Sequence, residues 1–567
     1  MPWTPTSGRR ADGFEKHAGS TMNGTDARHH GRTLGALLAV TAVLAACGGA
    51  GQQAAGPTAP AAAGAAACAP QVTVDLAPGQ TRTLDAAQAA CMRIAGHGGA
   101  RYVLAAFDAR AVENARRGPE TTAMGDPTYR IDDGTGGPLS SAMPNASRAP
   151  AEPSPSAAPG GDLRIHASTS AADDSLDPFR RATPWREGDR FPVRHIEGGD
   201  VVSARVAKVV DGRFVLAVVD GDVPNGKFAS DAGKALDYVA RVGVPVLDRT
   251  FGERRPVTSA GSGQMLILLT AWNPDNGAGA TWTVANPDGS GVFSYVLMNL
   301  NLRGGVRTGY EMYDFPSFRL KVMAHELTHA WQMRYAYETQ PDAAEKHVNM
   351  GPAWSMEGCA DLVSLDVLRR YLGIGLASNW DWARRIRAAD EGVIFALEPA
   401  DQRGMLPRGY FDGSSFLRDL QLRMVRRGVD ADEALSQVAR GAVEGWFGID
   451  GNNVRRTGLV ERVRGALGAA WEPADAVLLW TATQAADDLT GNPELNNDVY
   501  SHVGDPEEQY AWKAAYDDVR LGRPFAHQFA GGGGTSFFVR MSDDGAGGTL
   551  AARSSDGAVR WLLARVK

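Results

Sequence analysis

Histidine and cysteine are both scarce in this chain, at 11 and four of 567 residues. Each one therefore has to be explained singly. Positive charge is not in excess either: 58 Lys and Arg face 65 Asp and Glu, for a formal net charge of −7. That balance gives no electrostatic basis for a nucleic-acid partner. The apolar run from Leu34 to Ala46 is too short to span a bilayer. Glycine, in contrast, is abundant at 67 residues and accompanies Ala/Pro clusters, which points to long irregular stretches. With 44% hydrophobic residues, a chain of this length can bury more than one core, so several domains are expected.

Against that background the run Val322-Met323-Ala324-His325-Glu326-Leu327-Thr328-His329-Ala330-Trp331-Gln332 stands out. A chance His-Glu-x-x-His arises in roughly one in a hundred chains with so few histidines. On a helix, residues four apart share a face, so His325 and His329 can clamp one metal ion. Glu326 projects about 100° from His325, where its carboxylate can polarise a water. A second segment, Trp354-Ser355-Met356-Glu357-Gly358-Cys359-Ala360-Asp361, places Glu357 28 residues after His329. If it opens a helix, Glu357 and Asp361 also share a face. Glu357 then supplies a third ligand, and Asp361 accepts the outer N–H of a ligating histidine. Two His and one Glu leave the fourth position of a zinc ion open, which distinguishes a catalytic from a structural site.

Both helices are predicted from local signals. Asp314 can cap the first, with Pro316 in its opening turn, and Phe318, Val322, His325 and His329 follow one stripe. The second starts near Pro352 and runs through Leu362, Val363, Val367 and Leu368 toward Gly373. Its Gly358 is a poor helix former and is expected to let the first helix come close. Pro341 and Gly351-Pro352 break the chain between the two. Gln264–Leu269 and Val292–Asn299 are predicted strands.

Simpler readings stand beside these. A His pair at helical spacing also describes a polar contact at a helix interface. Glu357 alone also describes a surface glutamate, and Asp361 a solvated or capping one. Cys359, turned roughly 200° from Glu357, is a small buried thiol rather than a ligand.

With its two motifs in place, the stretch from about residue 260 to 430 resembles the gluzincin metallopeptidases, the class containing thermolysin, the gluzincin aminopeptidases and hyicolysin-like secreted peptidases. The resemblance implies zinc held by His325, His329 and Glu357, with Glu326 as general base. It also implies a strand before the zinc helix that forms a sheet edge and binds an extended peptide by strand addition. Tyr410, in Gly409-Tyr410-Phe411-Asp412-Gly413, resembles the aminopeptidase tyrosine that donates to the oxyanion of the tetrahedral intermediate. Packing at a helix start is the other reading of Tyr410. Asp412 departs from the acidic-basic pair of that pattern, and no acidic-Gly-Met exopeptidase signature precedes the zinc helix, which favours an endopeptidase. His347, His502 and His527 have no sequence context that nominates them as oxyanion donors.

At the N-terminus, Arg28, His29, His30 and Arg32 precede the apolar run, as in an export signal. The run ends Leu44-Ala45-Ala46-Cys47-Gly48-Gly49, which resembles a bacterial lipobox with Cys47 lipidated after cleavage. A plain secretory signal with an incidental cysteine is the alternative, and Met22 makes a more ordinary start than Met1. Cys68 and Cys91 flank a period-two strand, Val72–Leu76, and a Pro78-Gly79 turn, and are expected to pair as a disulfide in an exported protein.

The expected fold class is α+β and multidomain: a β-rich N-terminal region, a zincin-like catalytic domain with a mainly helical lower lobe, and a short β C-terminal appendage. The expected division is a lipoprotein signal at 1–47, a tether at 48–67 and a small β unit at 68–117. A linker at 118–185, a β-rich continuation at 186–250, the catalytic domain at 251–480 and a C-terminal region at 481–567 follow. Helices are predicted at Lys227–Val242, Trp380–Ala388, Ser414–Arg427 and Ala431–Val443, and late strands at Thr535–Met541 and Val559–Val566. The expected function is zinc-dependent hydrolysis of peptide bonds by an exported protein that is lipid-anchored at the outer membrane or cell surface. The alternatives are a non-catalytic surface lipoprotein that binds a partner, and a zinc hydrolase of non-peptide amides.

Overall fold

Period-two apolar patterning and the run Met265–Thr270 build strands, while longer apolar segments build helices. The computed structural model describes residues 68–117, 127–136, 183–194, 201–222, 226–252, 262–271, 279–285, 292–300, 315–339, 353–373, 393–394, 407–448, 457–486, 516–530 and 535–567. The first part runs β1 (Val72–Val74), β2 (Thr81–Leu84), α1 (Ala86–Ala90), β3 (Met92–Ile94), β4 (Arg101–Asp108), α2 (Arg110–Arg117) and β5 (Thr128–Asp132). Next come β6 (Arg190–Arg194), β7 (Val201–Val210), β8 (Phe214–Val219), α3 (Gly226–Tyr238), a π-turn at Val239–Gly243 and α4 (Val244–Phe251). They lead into β9 (Met265–Thr270), β10 (Gly279–Ala285) and β11 (Val292–Asn299). Helices then dominate: α5 (Phe315–Thr339), α6 (Ala353–Leu372), α7 (Pro407–Arg426), α8 (Ala431–Glu444), α9 (Gly458–Leu467) and α10 (Pro473–Ala486), with a short β12 (Val393–Ile394) after α6. The last strands are β13 (Tyr516–Arg520), β14 (Ala526–Ala530), β15 (Thr535–Ser542), β16 (Gly548–Ser554) and β17 (Val559–Arg565). The protein is thus a mixed α and β fold with three sheets among the described residues.

The sheet that carries the site has the order β10-β11-β9-β8-β7-β6. Strands β11, β9 and β8 are parallel, and β10, β7 and β6 are antiparallel to their neighbours. Its central strands β8 and β9 are buried at every position and almost wholly apolar, because both faces are covered. Phe214, Leu216, Met265, Ile267 and Leu269 face the helices, while Val215, Ala217, Leu266 and Leu268 pack with Trp185, Phe191 and Val206 on the other side. Among the described residues, the last strand before α5 is not at the sheet edge, where the resemblance placed it. That strand, β11, is interior, and β10 is terminal, because the chain turns back through an antiparallel hairpin before it enters the helix.

Helix α5 is buried on every side from Arg319 to Met333. It packs against β10 and β11 on one flank and α3 and α6 on others. A helix enclosed in this way needs no single apolar stripe. Its foot is tied to the helices below: the Tyr335 hydroxyl donates to Glu444 Oε1 at 2.6 Å, and Arg462 clamps the same carboxylate at 2.6 and 2.7 Å. Gly358 serves a different neighbour from the one expected. A Cβ on it would lie 2.5 Å from the carbonyl carbon of Gly413, so the glycine lets α6 and α7 touch rather than α6 and α5.

The small N-terminal β unit and the C-terminal β appendage, expected as separate parts, are one module. Strand β4 lies between β15 and β17, and β5 lies between β14 and β16. Strand β5 falls in the segment expected to be linker. Its five residues are held by backbone pairing on both edges to strands from the other end of the chain, a long-range contact that composition does not reveal. Alternate residues of the central strand serve two cores: Tyr102, Leu104 and Ala106 fill the interior of the module, while Val103, Ala105 and Phe107 join the helical core that includes α10. Cys68 and Cys91 are joined, with Cα atoms 6.0 Å apart. Among the described residues no helix is long and apolar enough to cross a membrane. The calls on Cys47, the export signal, the tether, Asp314 and the helix Trp380–Ala388 lie outside the described residues.

This topology makes the described residues 68–117 and 127–136 an integral part of the fold. A protease site inserted between residues 150 and 160 and cut after folding should give two fragments that co-elute in native gel filtration. Separation without denaturant would contradict the shared sheets.

Candidate metal centre

Four turns of buried helix place His325 and His329 one above the other, with ring centroids 4.8 Å apart. Helix α6 brings Glu357 against the same spot. The three facing atoms form a nearly equilateral triangle. His325 Nε2 and His329 Nε2 are 3.1 Å apart, and Glu357 Oε2 lies 3.2 Å from each. These three residues form a group able to hold a metal ion.

The outer nitrogens of both rings are committed elsewhere. His325 Nδ1 lies 2.7 Å from Asp361 Oδ1, on the face of α6 one turn beyond Glu357. His329 Nδ1 lies 2.8 Å from Gln332 Oε1, and the amide nitrogen of Gln332 donates to the carbonyl of Met356 at 3.0 Å. With Nδ1–H donated in each case, both Nε2 lone pairs point inward. Lys321, one turn before His325, donates to the same Asp361 oxygen. Exposure separates the two layers: His325, Glu326, His329 and Glu357 keep 6–9% of their surface accessible, whereas Asp361 and Gln332 keep none. The inner layer keeps slight solvent access and the outer one has none.

Glu326 is held by the terminal strand. The Thr281 hydroxyl lies 2.8 Å from Glu326 Oε2 and 2.7 Å from the Glu326 carbonyl oxygen. Gly279, two residues earlier on the same face of β10, leaves room for the carboxylate. A Cβ there would lie 2.7 Å from Glu326 Oε1.

Electrostatics follow from this crowding. Burial alone would lower the His325 pKa, but Asp361 and Glu357 outweigh it and raise it from 6.5 to about 9. His329 is raised as well, against burial, chiefly by Glu357. Glu357 is driven in the opposite direction: burial favours its neutral form, yet the two imidazoles hold it well below the usual carboxylate range. Asp361 is also lowered, because Lys321 and His325 overcome its burial. Burial raises Glu326, with the histidines and the Thr281 hydrogen bond opposing.

Of the residues singled out in the sequence, His325, Glu326, His329, Glu357 and Asp361 are brought together. Cys359 is fully buried, with Sγ 3.7 Å from the carbonyl of Ala439 and its thiol pushed up to about 12 by burial. Tyr410 sits in the first turns of α7, and its side chain lies outside the described residues. Sequence reasoning missed Thr281, Gly279, Lys321 and Gln332. Lys321 and Gln332 carried a signal, at four residues before His325 and three after His329 on one helix. Thr281 and Gly279 carried none, because only the tertiary fold brings β10 to Glu326. No protein-family model and no curated protein sequence matches this chain.

Metal and protons compete for the same lone pairs. The folded pKa of His325, about 9, lies above its ordinary 6.5. The stability this group contributes to metal-free protein is therefore full below pH 6.5 and is lost as pH rises through 9. Chelator-treated protein should melt at progressively lower temperature across that window, and metal-saturated protein should not. Metal binding at neutral pH should release protons, measurable by titration calorimetry in buffers of different ionisation enthalpy. Binding without proton release would contradict the assignment.

Proposed function

We propose that this chain is a zinc-dependent peptidase of the gluzincin type, exported and lipid-anchored through Cys47, that cleaves internal peptide bonds. The observation that carries the reading is the triangle of His325 Nε2, His329 Nε2 and Glu357 Oε2, with sides of 3.1 to 3.2 Å. Ligand bonds of about 2.0 Å at tetrahedral angles set ligand atoms about 3.3 Å apart, so the donor set fits zinc with its fourth position left open. Two neutral imidazoles and one carboxylate are also the donor chemistry that suits this ion. When bound, zinc supplies a Lewis acid that polarises the scissile carbonyl and acidifies a water.

The remaining steps belong to the protein. His325 and His329 present Nε2, kept in that tautomer by Asp361 and Gln332. Glu326 takes the proton of the attacking water on its carboxylate and delivers it to the departing amine nitrogen. Burial raises its pKa, which makes the carboxylate a stronger base than an exposed one. Strand β10 has no partner on its outer edge among the described residues, and it runs beside Glu326. An extended peptide added there lies alongside the base. Tyr410, at the start of α7, is assigned the oxyanion by resemblance, a donation usually worth about 3 kcal/mol in the barrier.

A general base is of no use to a structural metal site, so Glu326 separates the peptidase from a non-catalytic lipoprotein. Glu326→Gln should retain one zinc per chain and lose about 10²- to 10⁴-fold in casein cleavage. Purified protein without stoichiometric zinc, or undiminished cleavage by the variant, would overturn the proposal.

A further inference from the structure

Glu326 is gripped from outside its own helix. A residue beside a ligating histidine on α5 is free to rotate about its side-chain bonds unless something outside the helix grips it. What grips it is one face of β10. Residues two apart on a strand point the same way, and Gly279 and Thr281 are such a pair. At position 279 a Cβ would lie 2.7 Å from Glu326 Cγ and Oε1 and 2.9 Å from Cδ, closer than side-chain carbons approach other atoms. At position 281 a hydroxyl meets Glu326 Oε2 at 2.8 Å. One carboxylate oxygen therefore rests where a side chain is missing, and the other on a hydrogen bond.

We infer that Gly279 and Thr281 are positioning residues that fix the catalytic rotamer of Glu326. The inference rests on the peptidase reading and extends it to the sheet. The hydroxyl is suited to both states of a base in turnover. It has one proton, which it gives to Oε2 while the carboxylate is ionised. Once Glu326 has accepted the proton of the water, Oε2–H donates to the Thr281 oxygen. The hydroxyl then turns its own proton to the Glu326 carbonyl oxygen, 2.7 Å away. The contact persists with donor and acceptor exchanged, so the carboxyl group need not swing between the two proton transfers. Because β10 is also the terminal strand, base and substrate backbone are referenced to one element.

The test uses the full-length, zinc-loaded protein with Thr281→Val, which keeps the shape and loses the hydroxyl, and Thr281→Ser, which keeps the hydroxyl. Thr281→Val should lower kcat about 10- to 100-fold with KM within about threefold of wild type, and Thr281→Ser should restore most of it. Gly279→Ala should lose at least as much as Thr281→Val. Zinc affinity should stay within about twofold throughout, since none of these changes touches a ligand. A second readout needs no turnover: a peptide hydroxamate passes its hydroxyl proton to the base when it binds. Its calorimetric Kd should therefore weaken about tenfold in Thr281→Val and not in Thr281→Ser. Unchanged kcat and hydroxamate affinity in Thr281→Val, or equal losses in the serine and valine variants, would overturn the inference. If wild type cleaves no peptide, the peptidase reading fails separately, and the hydroxamate series still decides whether β10 positions Glu326.

Discussion

Three atoms that all offer lone pairs sit within 3.2 Å of one another in the interior of this protein, and the rest of the site depends on that fact. Imidazole nitrogens whose other N–H groups are already donated cannot hydrogen-bond to each other, and both face a carboxylate oxygen. In a medium less polarisable than water such an arrangement is repulsive unless a positive charge lies between the atoms. Protons provide one solution, and the raised histidine pKa values express it. A metal ion provides the other. The three atoms form a group that could hold a metal ion.

The surrounding charges point the same way. Glu326, Glu357 and Asp361 are three carboxylates, and Lys321 is the ammonium among the described groups that line the site; with both imidazoles neutral, as metal binding requires, −3 and +1 leave −2. A divalent ion balances that sum. Breaking a buried charge pair leaves an uncompensated charge, which typically costs about 3–5 kcal/mol, so Lys321 is not a decoration on Asp361. It holds the carboxylate ionised while Asp361 orients His325, and it draws some of the negative charge away from the ring. As the proposed ligand, His325 is thereby held in its tautomer without becoming as electron-rich as an isolated Asp–His pair would make it.

How much of this could be read from residues alone depended on range. The histidine pair and its glutamate were legible because helical spacing converts sequence distance into a shared face. Glu357 and Asp361 were legible for the same reason, one helix later. Strands Met265–Thr270 and Val292–Asn299 announced themselves by mainly apolar runs of strand length. What escaped was contact between segments far apart in the chain. The hydroxyl of Thr281 meets a residue 45 positions away, and β4 pairs with strands more than 400 residues later. Hydrophobic periodicity is blind to such partners. Gly358 shows the same limit: its smallness signalled a close approach, but only the fold showed that the neighbour was Gly413.

That glycine contact bears on the metal site through rigidity. Glu357 is adjacent to Gly358 on α6, and a Cβ at Gly413 would lie 2.1 Å from the carbonyl oxygen of Trp354 on the same helix. Helix α6 is therefore pressed against α7 backbone to backbone, with no side-chain layer to yield. Close backbone packing leaves little freedom for rotation or slippage. On its other flank α6 meets α5 through the ligands themselves and through Gln332, which bonds the carbonyl of Met356 next to Glu357. A site whose ligands come from two helices stays assembled only if the helices cannot slide, because displacement by a fraction of an ångström separates the three atoms of the triangle. The chain meets that requirement with small residues behind the carboxylate ligand and a hydrogen-bonded amide in front of it. Glu326, by contrast, is steadied from the sheet, so the proposed ligands and the proposed base are set by different parts of the fold.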